Sequence, residues 1–198
     1  KAHFPALPWQ DIGGFMRDLR KRHGVAARAL EWIILTACRS GEARFATWEE
    51  IDMQERVWTV PAERMKAGKE HRVPLTDDAI RLLESLPRFE GSPYVFPAAR
   101  GGALSDMTIS AVCRRMEVDA VPHGFRSTFR DWCSEHTNFP SEVAEMALAH
   151  TIESATEAAY RRGDLFVKRQ RLMDAWAKFC NTLPAEAAEV TQLHAKRA

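Results

Sequence analysis

The chain has 198 residues, 45% of them hydrophobic, with 28 Lys and Arg against 27 Asp and Glu for a formal charge of +1. That apolar share is ample for one self-folding core, while the near-neutral balance argues against DNA binding by bulk charge excess. The longest apolar run, residues 25–38, is interrupted by Arg28 and Glu31 and is too short to cross a bilayer, so no membrane partner is expected.

The opening Lys-Ala-His-Phe-Pro lacks a signal-peptide pattern. Cys38, Cys113, Cys133 and Cys180 have no paired spacing, so neither a zinc site nor a disulfide framework is indicated. A reduced, intracellular setting, expected to be the cytoplasm, fits best.

In chain order, residues 11–23 read as a helix and residues 26–37 as a longer one. The second carries Ala29, Leu30, Ile33 and Ile34 with a single charge at Glu31, the pattern of a central core helix. Residues 48–51, 57–60 and 72–75 are short β-prone runs separated by polar turns, which predicts a three-stranded antiparallel sheet. Ala67-Gly68 supplies a tight turn and puts Lys66 near a hairpin tip. Thr76 followed by Asp77 and Asp78 starts a helix running to Leu86, with acidic groups at the positive end of its dipole. A Pro/Gly-rich loop over 87–102 precedes predicted helices at 106–117, 123–136, 140–148, 154–160 and 165–180. Residues 184–198, rich in Ala and Glu, read as a frayed or disordered end.

Within the predicted 123–136 helix, Phe129 and Trp132 fall within roughly 40° of Phe125 at the helical period, while His123, Arg126 and Arg130 cluster at roughly 100° to 160°. One face is core and the neighbouring face is polar. Residues three apart are neighbours on a helix, so His123 and Arg126 are able to address one small anion, and phosphate matches the arginine fork. Arg39, at the junction between the core helix and the polar SGEA turn, supplies a second fork. Of the two tyrosines, Tyr94 lies in the core-like PYVFP, whereas Tyr160 lies in the polar stretch LAHTIESATEAAYRR that begins beside His150. Taken singly, each residue has a plain structural reading. An arginine at a helix boundary is ordinarily a solvated charge or dipole partner, His150 could cap a helix, and Lys69 rivals Lys66.

The ordered set Arg39 in TACRSGEA, Lys66 in ERMKAGKEHRVPL, His123 and Arg126 in HGFRSTFRDW, then His150 and Tyr160, resembles the catalytic domain of the tyrosine recombinases, the phage integrase family. The resemblance runs from about Leu7 to about Phe179 and is nearest to the prophage integrase branch. It implies a mainly α fold with a small three-stranded antiparallel sheet. The activity it implies is site-specific DNA recombination through a 3′-phosphotyrosine, with no metal, ATP or other cofactor. Tyr160 would attack the phosphate, Arg39 and Arg126 would hold its non-bridging oxygens, and Lys66 would protonate the leaving 5′ oxygen. His123 would assist the tyrosine proton, His150 would hydrogen-bond the phosphate, and Glu42 would brace the histidine and arginine shell. Where many relatives have Leu-Gly-His, this chain has Leu148-Ala149-His150, tolerable if the backbone there is helical.

The implied organisation is a linker remnant over 1–8 from a preceding DNA-clamping domain, a catalytic domain over 9–182 and a tail over 183–198. Implied partners are double-stranded attachment-site DNA, other protomers in a tetramer on paired sites, and accessory DNA-bending proteins. The basic groups at 64–72, 114–115, 126–130 and 161–171 would form the DNA face, with acidic residues mainly opposite. The apolar spacing of Leu165, Phe166, Leu172, Met173, Trp176 and Phe179 suits docking either on its own domain or on a neighbouring protomer. Two alternatives remain at this point: a type IB topoisomerase that reseals one strand, and a catalytically idle helical DNA-binding or assembly module.

Overall fold

The computed structural model describes residues 4–150 and 163–183. Helix α1 (Ile12–Arg20) buries Ile12, Phe15, Met16 and Leu19 along one stripe. It ends three residues before the expected His23, because Gly24, at φ 98°, reverses the chain and its carbonyl accepts the first bonds of α2 (Val25–Thr36). Helix α2 is the centre of the core, flanked by helices on several sides, and nearly all of its residues are buried. Its one acidic side chain, Glu31, is only 4% exposed and is neutralised by Arg20 at 2.7 Å and Arg28 at 2.8 Å. The helix stops at Ala37, which takes the left-handed conformation at φ 52° and redirects the chain into α3 (Ser40–Arg44).

Three antiparallel strands follow, β1 (Ile51–Asp52), β2 (Val57–Val60) and β3 (His71–Pro74), in the order β1-β2-β3. Trp58 pairs with Ile51 on one side and Val73 on the other, and it shares the buried face of β2 with Val60. The strand expected over 48–51 is mostly not a strand: Trp48–Glu50 forms a 3-10 turn and pairing begins only at Ile51. The Glu50 carboxylate is the cause, since it collects the Thr47 backbone N–H, the Trp58 indole and the Arg64 guanidinium, which draws this segment into a turn. The β2–β3 connection is longer than a tight hairpin; it holds a 3-10 turn at Ala62–Arg64 and then Gly68 at φ 61°, with the Gly68 N–H returned to Met65.

Helix α4 (Asp77–Ser85) starts at Thr76, whose hydroxyl accepts the Ala79 N–H, and α5 (Asp106–Arg115) starts likewise at Ser105. Helix α6 (Gly124–His136) turns Phe125, Phe129 and Trp132 into the core, as its periodicity predicts. Helix α7 (Ser141–Ala147) and helix α8 (Phe166–Cys180) complete the described elements. Helix α8 packs on its own domain: Leu172, Met173 and Trp176 are buried, and the Trp176 indole donates to the Ile34 carbonyl at 2.8 Å. Phe129, Trp132, Trp176 and Phe179 form one aromatic cluster between α6 and α8. The predicted helix over 154–160 and the tail over 184–198 lie outside the described residues.

Candidate active site

The turn that ends α2 positions the first arginine. Arg39 takes extended backbone angles at the N-cap of α3, and Glu42, three residues on, returns its carboxylate to the Arg39 backbone N–H at 2.9 Å. The other Glu42 oxygen accepts from Arg39 Nη1 at 2.8 Å. The buried carboxylate therefore fixes both ends of Arg39, while the arginine itself remains partly open to solvent.

Arg126, on the polar side of α6, is only 5% exposed. Its Nη1 donates to the Ala37 carbonyl at 2.5 Å and its Nη2 to the Leu148 carbonyl at 2.6 Å, so one guanidinium closes the C-terminal ends of both α2 and α7. Those ends carry unpaired carbonyls and negative dipole charge, which offset part of the cost of burying the cation. Arg39 reaches the same turn, its Nη2 donating to the Ala149 carbonyl at 3.3 Å. Burial, with the like charge of Arg39 beside it, pulls the Arg126 guanidinium down to about 10, so it stays charged at neutral pH.

His150 follows directly. The Ala149 N–H bonds the Met146 carbonyl and the His150 N–H bonds the Glu145 carbonyl, the 5→2 and 6→1 pair that closes a helix around a left-handed residue. Ala149 is that residue, at φ 49°, so the expectation of helical backbone here is corrected: the site favours glycine, and alanine carries strain. The ring's Nε2 lies 3.2 Å from Arg126 Nη2 and its Nδ1 2.6 Å from Glu145 Oε2.

Arg39, Glu42, Arg126 and His150 thus meet around the C-terminus of α7. His123, beside the N-terminus of α6, lies in the same electrostatic field. Partial burial, then the positive charges of Arg126 and Arg39, hold its imidazole below the usual range and therefore neutral at pH 7. The Phe4 ring covers it edge-on at 4.6 Å. Lys66 is exposed in the β2–β3 connection, as is Lys69, and no hydrogen bond or ion pair ties Lys66 to another described residue. Tyr160 lies outside the described residues.

Three contributors escaped the sequence reading. Glu145, five residues before His150, holds that ring. His71, at the start of β3, is pushed down to about 4 by burial and then by Arg169, in a neighbourhood that includes Glu42 and Arg39. Arg169, only 1% exposed, donates to the Asp164 carbonyl and carboxylate and to the Arg72 carbonyl at 2.6 Å, tying the chain four residues after Tyr160 to the sheet. The spacings 145/150 and 160/164 are the signals that could have pointed to Glu145 and Asp164. The basic groups are not free of acidic neighbours. Glu50, Glu145 and Asp164 sit among the basic residues, paired to Arg64, Arg130 and Arg72.

Comparison with known proteins agrees with this architecture. The Phage integrase family is matched over residues 11–164. The chain is 34% identical over 200 residues to the prophage integrase IntA of Escherichia coli K12, covering 98% of this chain and 48% of that protein. Among solved structures it resembles the integrase from mycobacterium phage Brujita, with a TM-score of 0.67 at 18% identity over 88% of this chain and 59% of that one. It also resembles a lambda integrase dimer bound to a COC' core site, with a TM-score of 0.56 at 21% identity over 83% of this chain and 61% of that one. At such identities the structural likeness establishes the fold. The chain spans about half the length of the curated relatives it matches.

Proposed function

The chain belongs to the phage integrase family, and from that premise we propose that it cuts and rejoins double-stranded DNA as a site-specific tyrosine recombinase serving a prophage or genomic island. The observation that carries the reading is the convergence of two arginines and a histidine on the α7 C-terminus, where burial and then the charge of Arg39 depress the Arg126 guanidinium. Two cations held together by the fold are an arrangement that an anion relieves, and a tetrahedral phosphate accepts forks from two directions.

In this reading Arg39 and Arg126 grip the non-bridging oxygens and stabilise the charge that builds as the phosphorus becomes pentacoordinate. Tyr160 is the nucleophile: its oxygen forms a bond to phosphorus, the 5′ oxygen leaves, and the energy of the broken phosphodiester persists in the 3′-phosphotyrosyl bond for a second DNA hydroxyl to use. His123 takes the tyrosine proton, a role suited to a ring kept neutral by partial burial and then by its cationic neighbours. Lys66 delivers a proton to the departing oxygen from the exposed connection, where its ammonium is free to enter a DNA groove. His150 hydrogen-bonds the phosphate once its Nε2 carries a proton, and Glu42 keeps Arg39 in place. Asp164, four residues after Tyr160, is tied through Arg169 to the Arg72 carbonyl of β3. Partners follow from the same reading: attachment-site duplexes, further protomers to a tetramer, and accessory DNA-bending proteins.

Strand exchange tests this proposal against a topoisomerase. Two differently labelled duplexes carrying a site selected from a randomised pool are incubated with the protein. Recombinant strands joining both labels are expected, whereas relaxation of supercoils without any label exchange would assign the chemistry to single-duplex resealing.

A further inference from the structure

The bond network behind His150 assigns a role to a residue that the catalytic set leaves out. A guanidinium nitrogen only donates, so in the 3.2 Å contact between Arg126 Nη2 and His150 Nε2 the imidazole nitrogen is the acceptor. A neutral imidazole has one N–H, which then belongs to Nδ1, and that proton points at Glu145 Oε2, 2.6 Å away. The second Glu145 oxygen accepts from Arg130 Nε at 2.7 Å, which holds the carboxylate against α6. Glu145 also supplies the backbone carbonyl that receives the His150 N–H, so one residue fixes the histidine through both its main chain and its ring.

We propose that Glu145 is a positioning residue for the phosphate clamp, acting through His150 on Arg126 in a carboxylate–imidazole–guanidinium relay. The proposal rests on the recombinase reading above for what the clamp does. The relay itself is a property of the DNA-free protein. With Nδ1–H given to the carboxylate, Nε2 is kept on the Arg126 side, where it restrains the guanidinium plane and later faces the phosphate. Partial burial pushes the Glu145 carboxyl up, but the bonds from Arg130 and His150 outweigh it and hold it ionised, the state in which both oxygens accept. Without that carboxylate Nδ1–H loses its acceptor, the tautomer is biased only by the longer 3.2 Å contact from Arg126, and the ring is freer to turn about χ2. Arg39 and His123 also lie near His150, but Arg39 is a cation with no acceptor, and among the described residues the hydrogen bond at Nδ1 goes to Glu145.

The test has two arms. In the first, ¹⁵N-imidazole NMR of the protein without DNA reads the His150 tautomer, assigned with His150→Gln. Wild type is expected to show Nδ1 protonated and Nε2 bare, and Glu145→Gln is expected to show a mixture or the opposite tautomer. In the second arm, single-turnover cleavage of a nicked duplex that traps the cut strand is read beside DNA affinity. Glu145→Gln is expected to cleave on the order of tenfold to a hundredfold more slowly, as when an orienting outer-shell partner is lost, with DNA Kd changed less than about twofold, because both carboxylate oxygens are engaged by Arg130 and His150 and the proposed role is behind the histidine. If Glu145→Gln does not fold, Glu145→Asp, which keeps the charge one methylene short, is read in both arms with a smaller effect of the same sign. A variant that keeps the Nδ1–H tautomer and cleaves at the wild-type rate overturns the proposal and leaves the recombinase reading standing. A purely structural tie between α6 and α7 would lower stability without changing tautomer or the ratio of cleavage to binding, and that result also overturns it. Failure of wild type to form any trapped product overturns the reading on which the catalytic half rests, while the NMR arm still decides the relay.

Discussion

Replacing Ala149 by glycine should stabilise the protein, although glycine is ordinarily the more costly residue to order. Ala149 sits at φ 49° in the turn that closes α7. A left-handed conformation costs an L-residue with a β-carbon about 1–2 kcal/mol. Against this, glycine forfeits about 0.5–1 kcal/mol in conformational entropy, and loss of a half-buried methyl forfeits about 0.4 kcal/mol, half the value of a fully buried methylene. At the midpoints of these figures the balance is a gain of about 0.35 kcal/mol, which in a protein of this size raises Tm by roughly 1 °C. Ala149→Val sets the opposite end of the scale, because a β-branched side chain fits left-handed backbone worst; a loss of at least about 1 kcal/mol is expected. Calorimetric melting of the three proteins should therefore rank glycine above alanine above valine. An order with alanine on top would mean that the methyl and the entropy of glycine together outweigh the strain the backbone stores, and would refute the reasoning that alanine is the costlier residue here.

Gly124→Ala should cost about 1–3 kcal/mol: an added β-carbon would stand 1.9 Å from the Pro5 carbonyl oxygen, so the segment that bonds Val121 and Thr128 through Pro5 and Leu7 must lift away. Gly14→Ala, with nothing within 4 Å, is the control and should gain up to about 1 kcal/mol; equal melting shifts in the two variants would contradict the packing described. Acid should weaken the fold through His71. Its folded value of about 4 lies below the ordinary 6.5, so the unfolded chain binds a proton the folded one refuses, and stability falls as pH drops through that window, by about 2 kcal/mol between pH 7 and 5. A ¹H NMR titration in which His71 protonates near 6.5 in the folded protein would refute this. Arg126→Lys keeps a charge but cannot span the Ala37 and Leu148 carbonyls together; urea unfolding should show a loss of about 1–3 kcal/mol, and an unchanged midpoint would mean the double closure contributes nothing.

What the sequence made legible depended on periodicity and local chemistry. Helix α2 stands out because its apolar run leaves one charge, Glu31, and α6 because Phe125, Phe129 and Trp132 recur at helical spacing. Thr76 announces α4 through its own short-range cap. The errors arose where a distant partner decides. Trp48–Glu50 has strand-like composition, yet Glu50 is claimed by Trp58 and Arg64, which linear reading does not bring near. The basic clusters look free in sequence because Glu145 and Asp164, which neutralise Arg130 and Arg72, are 15 and 92 residues away from them. Among the candidate site residues, the ordered motifs singled out Arg39, Arg126 and His150, which the fold brings together, but a half-buried side chain such as Glu145 or His71 shows at most a bare spacing, 145/150 for the first. Its role exists only once α6, α7 and β3 are packed. Ala149 shows the same limit at one residue, since its identity suggests helix while the helix-closing bonds force it left-handed.

The most direct measurement of the central claim, that the Arg39–Arg126–His150 cluster serves Tyr160 in cutting DNA, is covalent capture. The protein is incubated with nicked duplexes from which the cleaved strand cannot return, and the products are run under denaturing conditions and digested for mass spectrometry. The account predicts a denaturant-resistant adduct with the DNA 3′-phosphate on Tyr160, absent in Tyr160→Phe. DNA that is bound but never joined to protein, or an adduct that persists in Tyr160→Phe, would contradict it.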